Sequence, residues 1–324
     1  MDIYVKKAII HQFSPDDTDL YLADKFLNIT PKIEEYLRKK IERVYSDEAR
    51  TGIFEEDNPF LEMISDDLLE TSVVVANRWK EEFVVSENQK TNDLVFIQFS
   101  KEGVDHFAFL RIALRETLTH LGDEVDNPIK LTQNNLPGFG TGADEALVIN
   151  LQSRKYHLIE KRIKYNGTFL NYFSENLLQA QPKISPKKSI KALEKTAQKI
   201  AESFNTDDFQ FQSKVKSAIF NHIEEENKLS PEKLADDLFD DNLTARLSFI
   251  DQVKEAVPEP VTFEEIDASR QLKKFENQKL SLSNGIELIV PNNVYEDAES
   301  VEFILNENGT YSILIKNIED IQSK

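Results

Sequence analysis

The stretch Asp93-Leu94-Val95-Phe96-Ile97-Gln98-Phe99-Ser100-Lys101-Glu102-Gly103-Val104-Asp105-His106-Phe107-Ala108-Phe109-Leu110-Arg111-Ile112-Ala113-Leu114 decides the fold class. Two runs rich in β-branched and aromatic residues, 93–100 and 104–114, flank a short Lys-Glu-Gly turn, which is the signature of a β-hairpin. A second hairpin follows at 145–151 and 156–163, with Arg154 and Lys155 in its turn. Upstream, residues 3–13 alternate, placing Ile3, Val5, Ile9, His11 and Phe13 on one parity, a period of two that predicts a strand. Ser14-Pro15-Asp16-Asp17 reads as a turn and Leu20-Tyr21-Leu22-Ala23 as a short returning strand. Between these strands lie helices. Thr30-Pro31 is an N-cap with proline at the first helical position, and Ile33, Leu37, Ile41 and Val44 follow at helical spacing. The basic residues among them, Lys40 included, read as an exposed face with i,i+4 ion pairs. Residues 60–88 predict one or two further helices around Leu68, Leu69, Val73, Ala76, Trp79 and Phe83. The expectation is an α+β fold, with residues 1–165 forming an antiparallel sheet domain with inserted helices.

Beyond Asn166-Gly167, taken as the end of the sheet, the pattern turns helical at roughly 168–179, 186–204, 209–226, 231–239 and 243–256. This predicts a helical region over 166–257. Val257-Pro258-Glu259-Pro260 reads as a stiff acidic linker. Asn284-Gly285 and Asn308-Gly309 each sit between apolar runs, so residues 258–324 predict two hairpins forming a C-terminal β meander packed on the helices.

The chain has 324 residues with 39 Lys+Arg against 58 Asp+Glu, a net charge of -19. Its 40% hydrophobic and 30% charged content is that of a folded soluble protein. The absence of cysteine removes disulfides, thiolate metal sites and cysteine nucleophiles and fits a reducing compartment. The opening residues lack the apolar core of a secretory signal, and no run approaches the ~18 apolar residues of a membrane span. A cytoplasmic protein with no membrane contact is expected.

Against this acidity, residues 154–199 reverse sign, with 11 basic and 3 acidic residues that leave -27 for the rest of the chain. Such asymmetry points to a polyanion partner confined to the island; a solvated lysine-rich face is the plainer alternative. Lys187, Lys191, Lys195 and Lys199 recur every fourth residue opposite the apolar stripe Ile190, Leu193, Ala197, Ile200 and Phe204. At 1.5 Å per residue they span about 18 Å. Lys187 and Lys188 also stand in the first turn, where the helix dipole prefers acids and a phosphate would be welcome. The candidate phosphate-contacting residues are therefore Arg154, Lys155, Lys161, Arg162, Lys164, Lys187, Lys188, Lys191, Lys195 and Lys199.

Catalytic and metal motifs are not legible. Pro137-Gly138-Phe139-Gly140-Thr141-Gly142-Ala143-Asp144 lacks the Lys-Ser/Thr of a Walker loop and the setting of a dinucleotide fingerprint. It reads as a mobile loop with glycines at positive φ. The histidines His11, His106, His120, His157 and His222 have no zinc-hydrolase spacing; His11 and His157 fall within strands as satisfied sheet residues. The carboxylate pairs Asp16-Asp17, Asp66-Asp67, Asp236-Asp237 and Asp240-Asp241 lack the accompanying motif of a metal-dependent phosphoryl-transfer site. No catalytic residue, cofactor or metal ligand is assigned.

Ile9-Ile10-His11-Gln12, the block Val44-Tyr45-Ser46-Asp47-Glu48-Ala49-Arg50-Thr51-Gly52-Ile53-Phe54, and Asn166-Gly167-Thr168-Phe169-Leu170-Asn171-Tyr172-Phe173 together resemble the nucleoid-associated protein family of bacteria. The C-terminal glycine turn, Ile/Leu strand and final hairpin extend the resemblance over nearly the whole chain. It implies a non-enzymatic, DNA-associated architectural protein of the cytoplasm and nucleoid. With no helix-turn-helix or zinc finger, phosphate contacts without base readout are expected. Two alternatives stand beside it: an acidic scaffold that reaches the nucleoid through basic protein partners, and a divergent metal-dependent nuclease. A homo-oligomer is compatible with every one of these.

Overall fold

The computed structural model describes residues 2–87, 89–120, 129–206, 208–263 and 266–322. In chain order the first part carries β1 (Ile3–Ser14), β2 (Asp19–Tyr21), α1 (Pro31–Glu42), β3 (Arg50–Ile53), α2 (Pro59–Glu62) and α3 (Leu68–Phe83). Then come β4 (Asn92–Lys101), β5 (Val104–Ala113), β6 (Arg115–His120), β7 (Ile129–Asn135), β8 (Glu145–Asn150) and β9 (Lys155–Ile159). β10 (Ile163–Tyr165), β11 (Thr168–Leu170) and a π-helical turn (Phe173–Leu177) complete it. The α+β reading holds. A seven-stranded antiparallel sheet runs in the order β2-β1-β4-β5-β8-β9-β3, with the β4–β5 hairpin at its centre, paired in register from Asn92↔Ala113 to Lys101↔Val104. Glu102 and Gly103 turn it with φ of 54° and 82°, the left-handed pair that a twisted hairpin favours.

Both faces of this sheet are covered, which is why β4 reads as an almost unbroken apolar run. Leu94 and Phe96 face a core containing Trp79 and Phe83 of α3 and Phe107, Phe109, Leu147 and Tyr172. Val95, Ile97 and Phe99 face the opposite core, with Leu37 and Ile41 of α1. β1 departs from its expected parity. A bulge between Val5 and Lys7 sends Ile3 and Val5 to the α1 side and Ile9 and Phe13 to the α3 side, because one extra residue reverses every later side chain.

The helix starts are local chemistry. Thr30 Oγ1 accepts from Ile33 N with Pro31 at the first position, and Asp67 accepts from Leu69 N to open α3. On α1, Arg38–Glu42 (3.9 Å) and Lys39–Glu35 (3.2 Å) form the expected i,i+4 pairs. Lys40 does not join them, for its side chain is fully buried. Its Nζ donates to the carbonyls of Pro137, Gly138 and Thr141 at 3.3, 3.0 and 2.5 Å. The 137–144 loop is thus clasped, and of its glycines none adopts a positive φ. Burial first, then the charges of Arg43 and Arg115, lower Lys40 to a pKa of about 8. Asn166-Gly167, both at positive φ (48° and 76°), does not end the sheet region. It turns the β10–β11 hairpin, so strand and π-helical turn occupy 168–177 where a helix was expected.

The chain forms two compact units, Met1–Ser185 and Pro186–Lys324. The second unit comprises α4 (Pro186–Phe204), α5 (Phe209–Glu226), β12 (Lys228–Leu229), α6 (Pro231–Leu238), α7 (Leu243–Lys254) and β13 (Val261–Thr262). It ends with α8 (Ser269–Phe275), β14 (Asn277–Ser281), β15 (Glu287–Pro291), α9 (Asn292–Tyr295), β16 (Val301–Leu305) and β17 (Tyr311–Ile315). The helix bounds agree closely with the periodicity. The stretch read as a linker is not one: Val257 and Val261 are buried in the helical core with Phe249 and Phe275, and β13 pairs with β12. The two C-terminal hairpins form separate two-stranded sheets, β14–β15 and β16–β17, with α9 between them. The first is tied to α5 and α9 by a buried amide, Gln278 Nε2 donating to Ser213 O at 3.1 Å and to Asn292 Oδ1 at 2.8 Å. Among the described residues no helix is long and apolar enough to cross a membrane.

Candidate nucleic-acid interface

α4 buries Ile190, Leu193, Ala197, Ile200 and Ala201, the stripe its sequence period demands. At about 100° per residue, Lys187, Lys188, Lys191, Lys195 and Lys199 fall within roughly 120° of arc, centred about 160° from that stripe. All five are exposed. The first turn holds no acid, so the positive dipole end of the helix stands beside Lys187 and Lys188. The acids of this helix are turned to other work. Glu194 accepts from Lys274 of α8 at 3.4 Å, and Glu202 accepts from Gln198 at 3.2 Å. Among the described residues, Lys188, Lys191, Lys195 and Lys199 form no ion pair with a carboxylate of this chain, whereas Lys187 has a contact within it. The result is a row of uncompensated ammonium groups on a rigid rod.

The other five candidates belong to the first unit, and most are neutralised there. Arg154, at φ 60° in the β8–β9 turn, pairs with Glu56 at 3.0 Å. Lys161 pairs with Asp144 at 2.7 Å. Burial opposes the charge of Asp144, but the Lys161 hydrogen bond and the Ala113 N–H hold its pKa below the usual value. Lys164 pairs with Glu87 at 3.1 Å; the Gly167 N–H, then Lys164, hold Glu87 below its ordinary range. Lys155 has an interaction within the chain. Arg162 is exposed and has no ion pair among the described residues. The island of sequence is therefore two groups, one largely satisfied and one free.

Two polar features escaped the sequence reading. Inside the sheet unit, Arg111 Nε donates to Glu145 Oε2 at 2.6 Å and Arg111 Nη1 to Asn92 Oδ1 at 2.9 Å. Tyr172 also donates its hydroxyl to Glu145 and accepts from Trp79 Nε1 at 2.9 Å. Burial, then Glu145, raises the Tyr172 hydroxyl far above its ordinary pKa, which keeps it a donor. Glu145 is fully buried and its Oε1 has no hydrogen-bond partner among the described residues. An arginine within Phe109-Leu110-Arg111-Ile112 was the available signal, since a charge in a two-faced strand needs a buried counter-charge. The Lys40 clasp is the second feature.

Several of the residues considered for chemistry have structural partners. His11 Nδ1 accepts from Ala23 N at 3.1 Å, so its Nε2–H faces Ser72 Oγ at 2.9 Å as a neutral, satisfied ring; burial lowers its pKa. Asp67 caps α3, Asp236 pairs with Arg246, Asp237 with His222 and Asp240 with Lys214. Among the described residues no three His, Asp or Glu side chains converge to hold a metal ion.

Over residues 9–321 the chain matches the family described as nucleoid-associated protein YejK, and it belongs to that family. No curated protein matches it.

Proposed function

We propose that this nucleoid-associated protein binds DNA directly, as a non-enzymatic architectural factor of low sequence specificity, and that the lysine face of α4 makes the contact. The observation that carries the reading is the row Lys188, Lys191, Lys195 and Lys199, exposed and without internal counter-charge in a chain of net charge -19. An ammonium row on a helix reaches phosphates without addressing base edges. Arg162 is the one sheet-unit candidate retained beside it; Arg154, Lys161 and Lys164 already have carboxylate partners. Membership of the family supports association with the nucleoid, and hence a cytoplasmic location.

The same net charge favours a second reading, an acidic scaffold that reaches the nucleoid through a basic protein. Titration of purified protein on a labelled mixed-sequence duplex and on a single strand, at two ionic strengths, separates the two. Direct contact requires binding at low salt that weakens steeply as salt rises. No binding at low salt would sink it and leave the scaffold. Incubation with supercoiled DNA and Mg²⁺ or Mn²⁺ is expected to leave the DNA uncut; nicking that tracks the purified protein would replace the architectural role with a nuclease.

A further inference from the structure

The β16–β17 ribbon is a sheet with too little on either side. Its strands pair from Val301↔Ile315 to Leu305↔Tyr311, and both outer edges are unpaired among the described residues. A lone two-stranded ribbon is marginal in water and gains from further strands. On one face Phe303 packs on Phe209 of α5 and Tyr295 of α9, and Tyr311 also meets Phe209, but Leu305 beyond them is 63% exposed. The other face offers Ile304 and Leu314, 40% and 47% exposed. Ile304, Leu305, Tyr311, Leu314 and Ile315, five of the large hydrophobic residues exposed among the described residues, lie on this one ribbon, a concentration that marks a contact surface.

The charge around the ribbon selects the occupant. Residues 286–322 contain eight acidic residues and one basic residue, and that residue, Lys316, is already paired with Glu302 at 2.6 Å. Nucleic acid is repelled, and so is a second copy of a chain at -19. We propose that the β16–β17 ribbon docks an extended basic polypeptide segment, alternating Lys or Arg with apolar residues, as an added strand on its open edge. Backbone pairing supplies the register, Ile304 and Leu314 receive the apolar side chains, and the acidic surround receives the cations. This surface is independent of the α4 lysines, so its fate does not decide theirs.

The full chain is titrated with a labelled eight-residue peptide alternating lysine and valine, with its glutamate–valine counterpart as control. Saturable binding of the lysine peptide alone is expected, weakening at least tenfold between 50 and 300 mM salt, with new amide-exchange protection in 301–305 or 311–315. Ile304→Ser with Leu314→Ser, both on the exposed face, is expected to weaken it about tenfold while DNA titration and thermal unfolding stay as in the parent. Absence of saturable binding, equal binding of both peptides, or protection elsewhere would overturn the proposal. A salt-resistant dimer in sedimentation that protects the same ribbon would overturn it too, by making the occupant a second copy.

Discussion

Reversing Lys188, Lys191, Lys195 and Lys199 to glutamate removes four cations from one face of α4. Each phosphate contact contributes about 0.9 to the slope of log affinity against log salt, so losing four flattens that slope by about 3.6. Between 50 and 200 mM salt a slope of that size corresponds to about a 150-fold change in affinity. The parent protein should therefore lose DNA steeply over this range, and the variant should bind weakly with little salt dependence. The fold should survive, because exposed substitutions usually stay within about 0.5 kcal/mol. An acid at 188 also suits the helix N-terminus, by ~0.3–1 kcal/mol. Circular dichroism and urea unfolding confirm that the comparison is between folded proteins. The structure supplies a matched control in Lys161→Gln with Lys164→Gln, which removes two cations already committed to Asp144 and Glu87 and should leave the slope nearly unchanged. Fluorescence anisotropy on a mixed-sequence duplex reads all three. An unchanged slope in the α4 variant, or a loss confined to the control, refutes the assignment.

Arg111→Met strands the carboxylate of Glu145 in the core and should cost about 3–5 kcal/mol; Arg111→Met with Glu145→Leu should recover much of it in urea unfolding. A Cβ on Gly52 would lie 2.3 Å from Tyr156 Oη and 2.5 Å from its Cζ, so Gly52→Ala should cost about 1–3 kcal/mol. In a Tyr156→Ala background the same change should cost almost nothing. Lys40 should make stability rise with pH between about 8 and its ordinary 10.5. In that window the unfolded chain holds a proton the folded chain has released, and stability increases with pH wherever the unfolded state binds more protons. Unfolding at pH 7.5–10.5 should show this rise relative to Lys40→Met; parallel curves would contradict it.

Gly52 shows why parts of the family block were legible as a pattern but not as physics. It pairs across from Tyr156 on β9, a hundred residues away, so the space it must leave empty is set by a contact no local rule encodes. Lys40 is the same kind of case. Periodicity placed it among exposed cations, and only the carbonyls of the 137–144 loop made burial tolerable. The β6–β7 pair went unread since polar residues occupy ten of its 13 positions and no sustained apolar alternation marks it. By contrast, α4, α5 and the Asn284-Gly285 and Asn308-Gly309 turns were readable because their signals are contained within one or two turns of chain. The cationic island was visible as composition. Which of its charges were free depended on Glu56, Asp144 and Glu87, all distant in sequence.

The two lysine-bearing helices, α1 and α4, differ in how their charges are spaced. In α1 the four-residue spacing joins opposite charges, Glu35 to Lys39 and Arg38 to Glu42. In α4 it joins lysine to lysine, at 187/191, 191/195 and 195/199. Each like pair at that spacing opposes the helix by ~0.2–0.5 kcal/mol, about 1 kcal/mol in all, with the first-turn lysines adding their own penalty. A chain holding 58 acidic residues has ample means to relieve this, and α1 does so. In α4 Glu194 and Glu202 engage Lys274 and Gln198 instead, so the repulsion among Lys191, Lys195 and Lys199 is not relieved by an ion pair among the described residues. Under the proposed contact, phosphates along a DNA strand would reverse both costs at once.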